Sequence, residues 1–263
     1  RRHYRQHLKT MPEDGLPSDE GREHGIDASG IDAEEWNELI RHLEATIPVY
    51  DKVNSIVTLG QDSRWRRHVA KSAQPGMKVL EVGCGPGTFS ERLAGVELTC
   101  LDPSEEMLAV AKRRVDAARS SRSEASAEYV AATAESLPFR NDSFDRVFCL
   151  FSFRDFHDKE KGLEEMLRVL KPGGRLVICD AGKGRFPHGL FGRLWMATVV
   201  QLVARRVTKN PDHPWKWLAK TYVHFGTIPF YRKMMRNVGY ENVRGRLLLP
   251  FLMAGKLTGT KPK

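Results

Sequence analysis

The stretch Lys78-Val-Leu-Glu-Val-Gly-Cys-Gly-Pro-Gly87, followed fifteen residues later by Asp102, constrains the chain more than any other segment. An apolar run ending in Glu81 reads as a buried parallel strand, and Gly83, Gly85 and Gly87 read as the tight turn that leads out of it. Glycine lets the backbone approach a ligand with no side chain in the way. Asp102 closes a second, largely apolar run, Val96 to Leu101. A carboxylate there can grip both hydroxyls of a ribose. The pair implies a nucleoside-binding crevice at the carboxyl ends of a parallel sheet.

The rest of the middle of the chain has the matching rhythm. Strands are predicted over 77–82, 96–101, 127–132, 144–151 and 174–180, with helices near 88–94, 104–118 and 158–170 between them. Ser104 can cap the second helix, and Lys171-Pro-Gly-Gly174 stops the third. Such alternation gives an α/β fold, a parallel sheet with helices on both faces. Before it, a capped helix is expected from Asp32, with Trp36, Ile40, Leu43 and Ile47 on one face, then helical pieces through Ile56 and from Trp65 to Ala73. Residues 1–45 form an extension, its first thirty residues without hydrophobic periodicity. The main domain is 46–263, interrupted near 183–226 by an amphipathic, Trp-containing insertion. A helix at 228–238 and apolar runs near 243–249 and 251–257 complete it.

Charge is spread unevenly. Residues 1–36 carry five Lys/Arg against nine Asp/Glu, whereas 182–263 carry sixteen against Asp212 and Glu241 alone. A basic final third implies an anionic counterpart, or simply a solvated surface on a basic protein. No apolar run reaches the length of a membrane span, and Cys84, Cys100, Cys149 and Cys179 have no CxxC spacing. Buried thiols in a reducing cytoplasm are expected, without metal or disulfide.

A Gly-rich turn alone does not distinguish dinucleotide oxidoreductases from methyltransferases. Glu81, two residues before the first glycine, is unusual in a dinucleotide fold and suits a ligand with a cationic amino-acid end. Ala134-Glu-Ser-Leu-Pro-Phe-Arg-Asn-Asp-Ser-Phe-Asp145 follows the third strand, and the run 170–176 leads into the fifth. On these motifs the chain resembles class I S-adenosylmethionine-dependent methyltransferases. More narrowly it resembles the C-methyltransferases of ubiquinone and menaquinone biosynthesis, through Tyr50-Asp-Lys-Val-Asn54, Arg64-Trp65, Phe153-Arg-Asp-Phe-His-Asp-Lys-Glu-Lys161 and Trp217-Leu-Ala-Lys220.

The resemblance implies a Rossmann-like, mostly parallel seven-stranded sheet with N-terminal helices and a helical lid. It also implies S-adenosylmethionine as cofactor. Glu81, Gly83, Cys84 and Gly85 would hold the methionine part, with Leu150 lining that side. Asp102 would take the ribose, Pro103 and Met107 would lie near the adenine, and Thr133 and Ala134 would meet its edge. Tyr50 would close over the cofactor or pack a helix. Pro86, Thr88, Thr133 and Asp155 depart from the quinone relatives' pattern and leave the acceptor less constrained than the cofactor.

Methylating a ring carbon needs the neighbouring hydroxyl deprotonated, which calls for a base and a cation. Arg154 is the candidate cation, or a loop-fixing partner of Asp155 or Asp158; Asp155 or His157 is the candidate base. Tyr222 and His224 are weaker candidates for the acceptor pocket. The expected partners are a small-molecule or lipid-soluble substrate, an anionic membrane surface reached through 182–263, and a second copy of the chain as a homodimer. The expected location is the cytoplasm, peripherally at the inner face of the membrane. Alternatives are N- or O-methylation of a small metabolite or lipid headgroup, and a degenerate binding subunit. RNA methylation is disfavoured, because Ser152-Phe-Arg-Asp155 is not an Asn/Asp-Pro-Pro-aromatic motif.

Overall fold

The computed structural model describes residues 41–42, 44–181, 188–210, 213, 215–216, 225–248 and 254–263. Five parallel strands come first: β1 (Lys78–Val82), β2 (Glu97–Asp102), β3 (Glu128–Ala131), β4 (Phe144–Leu150) and β5 (Leu170–Ala181). β6 (Glu241–Leu248) and β7 (Ala254–Thr260) then add an antiparallel edge, giving the order β3-β2-β1-β4-β5-β7-β6. Strand order reverses between β1 and β4, which opens a crevice at their carboxyl ends.

Alternation along the strands feeds two cores. Leu80, Val82, Val147, Cys149 and Ile178 pack with α4 (Lys159–Val169) and α7 (Ile228–Val238). Val79, Cys100, Phe148 and Val177 pack on the other side with α2 (Gln61–Ala70) and α3 (Glu105–Ser120). A third cluster joins α1 (Tyr50–Val57) to α6 (Gln201–Thr208) through Val53, Val57, Val200 and Ala204. A π-helical turn, Met196–Val200, links α6 to α5 (His188–Trp195), whose Trp195 Nε1 donates to the Val57 carbonyl at 3.1 Å.

Ser104 caps α3 as expected, its hydroxyl accepting from the Met107 amide at 3.1 Å. The four cysteines are buried and free, and no group of candidate metal ligands occurs among the described residues. The helix expected over 88–94 is only one 3-10 turn, Ser90–Arg92. Phe89 and Leu93 both have to reach the core, and Leu93 turns extended before Gly95, whose φ is +69°. The two C-terminal apolar runs form the β6–β7 hairpin, shifted from 243–249 and 251–257. Of the helix expected from Asp32, residues 41, 42 and 44 are described and are helical, whereas Trp36, Ile40 and Leu43, like Trp217–Lys220, Tyr222 and His224, lie outside the described residues.

Candidate functional site

Gly83 and Gly85 take φ of +68° and +52°, which turns the chain back over the end of β2. The amides of Gly83 and Cys84 donate to the Leu101 carbonyl at 2.8 and 3.0 Å. The Gly85 amide donates to Asp102 Oδ2 at 2.7 Å, and the Ser104 amide to Asp102 Oδ1 at 3.0 Å. Burial pushes the Asp102 carboxyl up to about 6, and these two amides hold it from rising further. It therefore stays mainly ionised at neutral pH, with lone pairs left over for a diol. A Cβ on Gly85 would meet no protein atom within 4 Å, so the space beside the carboxylate is open.

The N-terminal helices roof this turn. Thr88 donates to Asp51 at 2.8 Å, and Arg114 binds both Thr88 and Asp51, which locks α1 to α3. Ser104 donates to Glu44 at 2.6 Å. Thr88 is thus a structural fastener for the element that carries Tyr50.

The resulting crevice is lined by Tyr50, Gly83, Cys84, Gly85, Asp102, Pro103, Met107, Thr133, Ala134, Leu150, Arg154 and Asp155. Among the described residues these are all the sequence-predicted site residues except two. Glu81 lies beneath the crevice, 1% exposed, and faces the α2 and α3 side, where Ser90 donates a short hydrogen bond to it. His157 is absent from the lining.

Burial raises the Glu81 carboxyl to about 8, against the opposing pull of Ser90 and Arg66. A group that releases its proton near 4.5 unfolded and near 8 folded makes the native state bind more protons across that interval. Stability therefore falls as pH rises through it. The ligand-free protein should melt at progressively lower temperature between about 6 and about 8, after Asp102 has ionised. Glu81→Gln should flatten that decline; an unchanged decline in the variant would refute a buried neutral Glu81.

Arg154 closes the β4 end of the crevice. Its Nη1 meets Asp180 at 2.6 Å, its Nη2 meets Asp155 at 3.2 Å, and its backbone amide donates to Asp180 at 3.0 Å. Despite burial, the two carboxylates hold its pKa above the ordinary guanidinium value. Of the loop-fixing partners expected, Asp155 is engaged, and Asp180 joins it. Lys159 stands close by, its pKa lowered chiefly by burial.

Three residues of the site carried little signal in the sequence. Asp180 stands one residue before the end of β5, much as Asp102 ends β2, and that parallel is the signal available for it. Arg66 lies on α2 among polar residues and reads there as solvated, yet it is 4% exposed and lines the crevice. Ser152 donates to the Val82 carbonyl at 3.1 Å and packs on Gly83.

Residues 37–253 match the ubiE/COQ5 methyltransferase family. A demethylmenaquinone methyltransferase of Renibacterium salmoninarum is 33% identical over 228 residues, 83% of this chain and 90% of the relative. One from Deinococcus radiodurans is 34% identical over 243 residues, 88% and 95%. Among solved structures, an S-adenosylmethionine-dependent methyltransferase of Thermotoga maritima, a possible histamine N-methyltransferase, superposes with a TM-score of 0.60 at 20% identity, covering 85% of this chain and all but 1% of that one; this likeness shows the fold alone. The residues present fit S-adenosylmethionine: an open glycine cradle, an ionised acceptor for a ribose diol, and a crevice that runs from the end of β2 to the end of β4. When bound, this cofactor supplies an electrophilic methyl group on sulfur. The chain belongs to the ubiE/COQ5 methyltransferase family and is an S-adenosylmethionine-dependent methyltransferase.

Proposed function

We propose that the enzyme methylates a ring carbon of a demethylated membrane quinol or a related lipid-soluble phenol. The observation that carries this reading is the Arg154–Asp155–Asp180 cluster beside the methyl-donor crevice. Asp155 lines the crevice while its partner Asp180 does not, and Phe151 and Phe156 line the same space and suit a planar ring. In this reading Asp155 takes the phenolic proton, and the Arg154 guanidinium, fixed by Asp180, steadies the oxyanion. The donor-side roles proposed are those described for Asp102, the glycine turn and Tyr50. The demethylmenaquinone methyltransferase relatives support the acceptor class. Asp155→Asn keeps an oxygen for Arg154 but removes the base. It should lower kcat by about 100-fold or more while S-adenosylhomocysteine affinity is unchanged; full activity in this variant would remove Asp155 from the mechanism.

The acceptor class calls for a membrane-facing surface, and one is supported. No helix among the described residues is long and apolar enough to cross a membrane. Yet among the described residues the exposed large apolar side chains are Ile56, Leu59, Leu190, Leu194 and Leu202, all on or next to α1, α5 and α6. Arg193, Arg205 and Arg206 stand exposed beside them on α5 and α6. Interfacial docking on anionic lipid uses this combination. Binding to anionic vesicles should be strong at low salt and lost in Leu194→Asp/Leu202→Asp. Equal partitioning to neutral and anionic vesicles would contradict it.

A further inference from the structure

Two guanidinium groups line the crevice, and they differ in one respect. Arg154 is neutralised by two carboxylates. Arg66 is more deeply buried, yet among the described residues no carboxylate stands within ion-pair distance of it: Glu81 acts on it only at longer range and is held largely protonated by burial, and the Arg66 Nε has no hydrogen-bond partner. Its guanidinium carbon lies 4.8 Å over the ring of Phe151, which immediately follows β4 and takes a φ of +60°. Burying an unpaired cation is costly, and a bare ring face returns only part of what hydration gave. Such a group is explained when its counter-anion arrives with a ligand.

The fold indicates which part of the ligand reaches it. Asp102 sits at the end of β2, and Thr133 and Ala134 lie past the end of β3, so a nucleoside held by Asp102 would lie on that side. In the order β3-β2-β1-β4, the rest of such a ligand would extend over β1 toward β4. Arg66 stands there, on the side of the sheet that carries Glu81 and Phe148.

We infer that Arg66 binds the carboxylate at the methionine end of S-adenosylmethionine, so that the cofactor itself completes a charge pair left open in the free enzyme. This rests on the cofactor and not on the quinol acceptor. The contact also explains the strained Phe151 backbone, which presents the ring as a shelf for the guanidinium.

Calorimetric titration separates the parts of the ligand. S-adenosylhomocysteine carries the carboxylate, and 5′-methylthioadenosine lacks the whole amino-acid end. Arg66→Met should weaken S-adenosylhomocysteine by about 10-fold or more and leave methylthioadenosine unchanged. Arg66→Lys should recover part of the loss. In the wild-type enzyme, decarboxylated S-adenosylmethionine should bind about 10-fold or more weaker than S-adenosylmethionine, a comparison that needs no variant to fold. The inference is overturned if both ligands weaken together in Arg66→Met, if neither weakens, or if decarboxylation costs the wild type nothing. A raised KM for the acceptor with unchanged S-adenosylhomocysteine affinity would overturn it equally and assign Arg66 to the acceptor. The quinol reading stands or falls separately, on the product formed.

Discussion

Asp180→Ala is expected to lower stability by roughly 3–5 kcal/mol and to abolish turnover. The carboxylate is 3% exposed and accepts from Arg154 twice, at the side chain and at the backbone amide. Removing it leaves a buried guanidinium with Asp155 alone, and that loss of compensation is what makes the effect large. The backbone contact adds a second consequence: the 3-10 turn Phe153–Asp155 loses the anchor that aims Asp155 into the crevice. Asp180→Asn keeps the shape and an acceptor, so it should fold better than the alanine variant while remaining slow. Urea unfolding beside a turnover assay separates the two losses. Wild-type stability in Asp180→Ala would mean that the cluster is not the support it is taken to be.

Gly83→Ala should be nearly as damaging to cofactor binding. A Cβ there would lie 2.4 Å from Ser152 Oγ and 2.5 Å from Ser152 Cβ, and the φ of +68° disfavours any L side chain. Backbone strain and overpacking each cost about 1–3 kcal/mol. Because the turn carries the amides that hold Asp102, much of this should appear as weakened S-adenosylhomocysteine affinity, about 10-fold or more. Pairing the change with Ser152→Gly relieves the steric part and leaves the dihedral part. The double variant should therefore bind better than Gly83→Ala alone. Identical affinity in the two would locate the defect in the backbone angle only.

The fold was legible in the sequence where periodicity and punctuation agree. β1, β2 and β4 are apolar runs closed by glycine, by Asp102 and by the Ser152 loop, and α3 announces itself through Ser104 and two acids. The segment after Gly87 misled because its apolar spacing is helical, whereas the short path to Gly95 permits only one turn. The donor half of the crevice was legible for the same reason as the fold: its residues follow strand ends directly. Glu81 is the exception. Its place in the turn motif suggests a ligand-facing carboxylate, but strand alternation sends it to the Val79 face and Ser90. The acceptor half, and Arg66 on the donor side, were less legible, since Asp180 binds Arg154 across 26 residues of sequence and Arg66 stacks on Phe151 across 85. No local pattern encodes such pairs, and a polar residue on a helix reads as solvated unless its surroundings are known.

The most direct test of the account is the product. The enzyme would be incubated with methyl-labelled S-adenosylmethionine and a reduced demethylated quinone in anionic lipid vesicles, with the labelled position located by mass spectrometry and NMR. Label on a ring carbon, dependent on Asp155 and Arg154, is the predicted result. Label on oxygen or nitrogen, or transfer to a lipid headgroup with the quinol untouched, would contradict it.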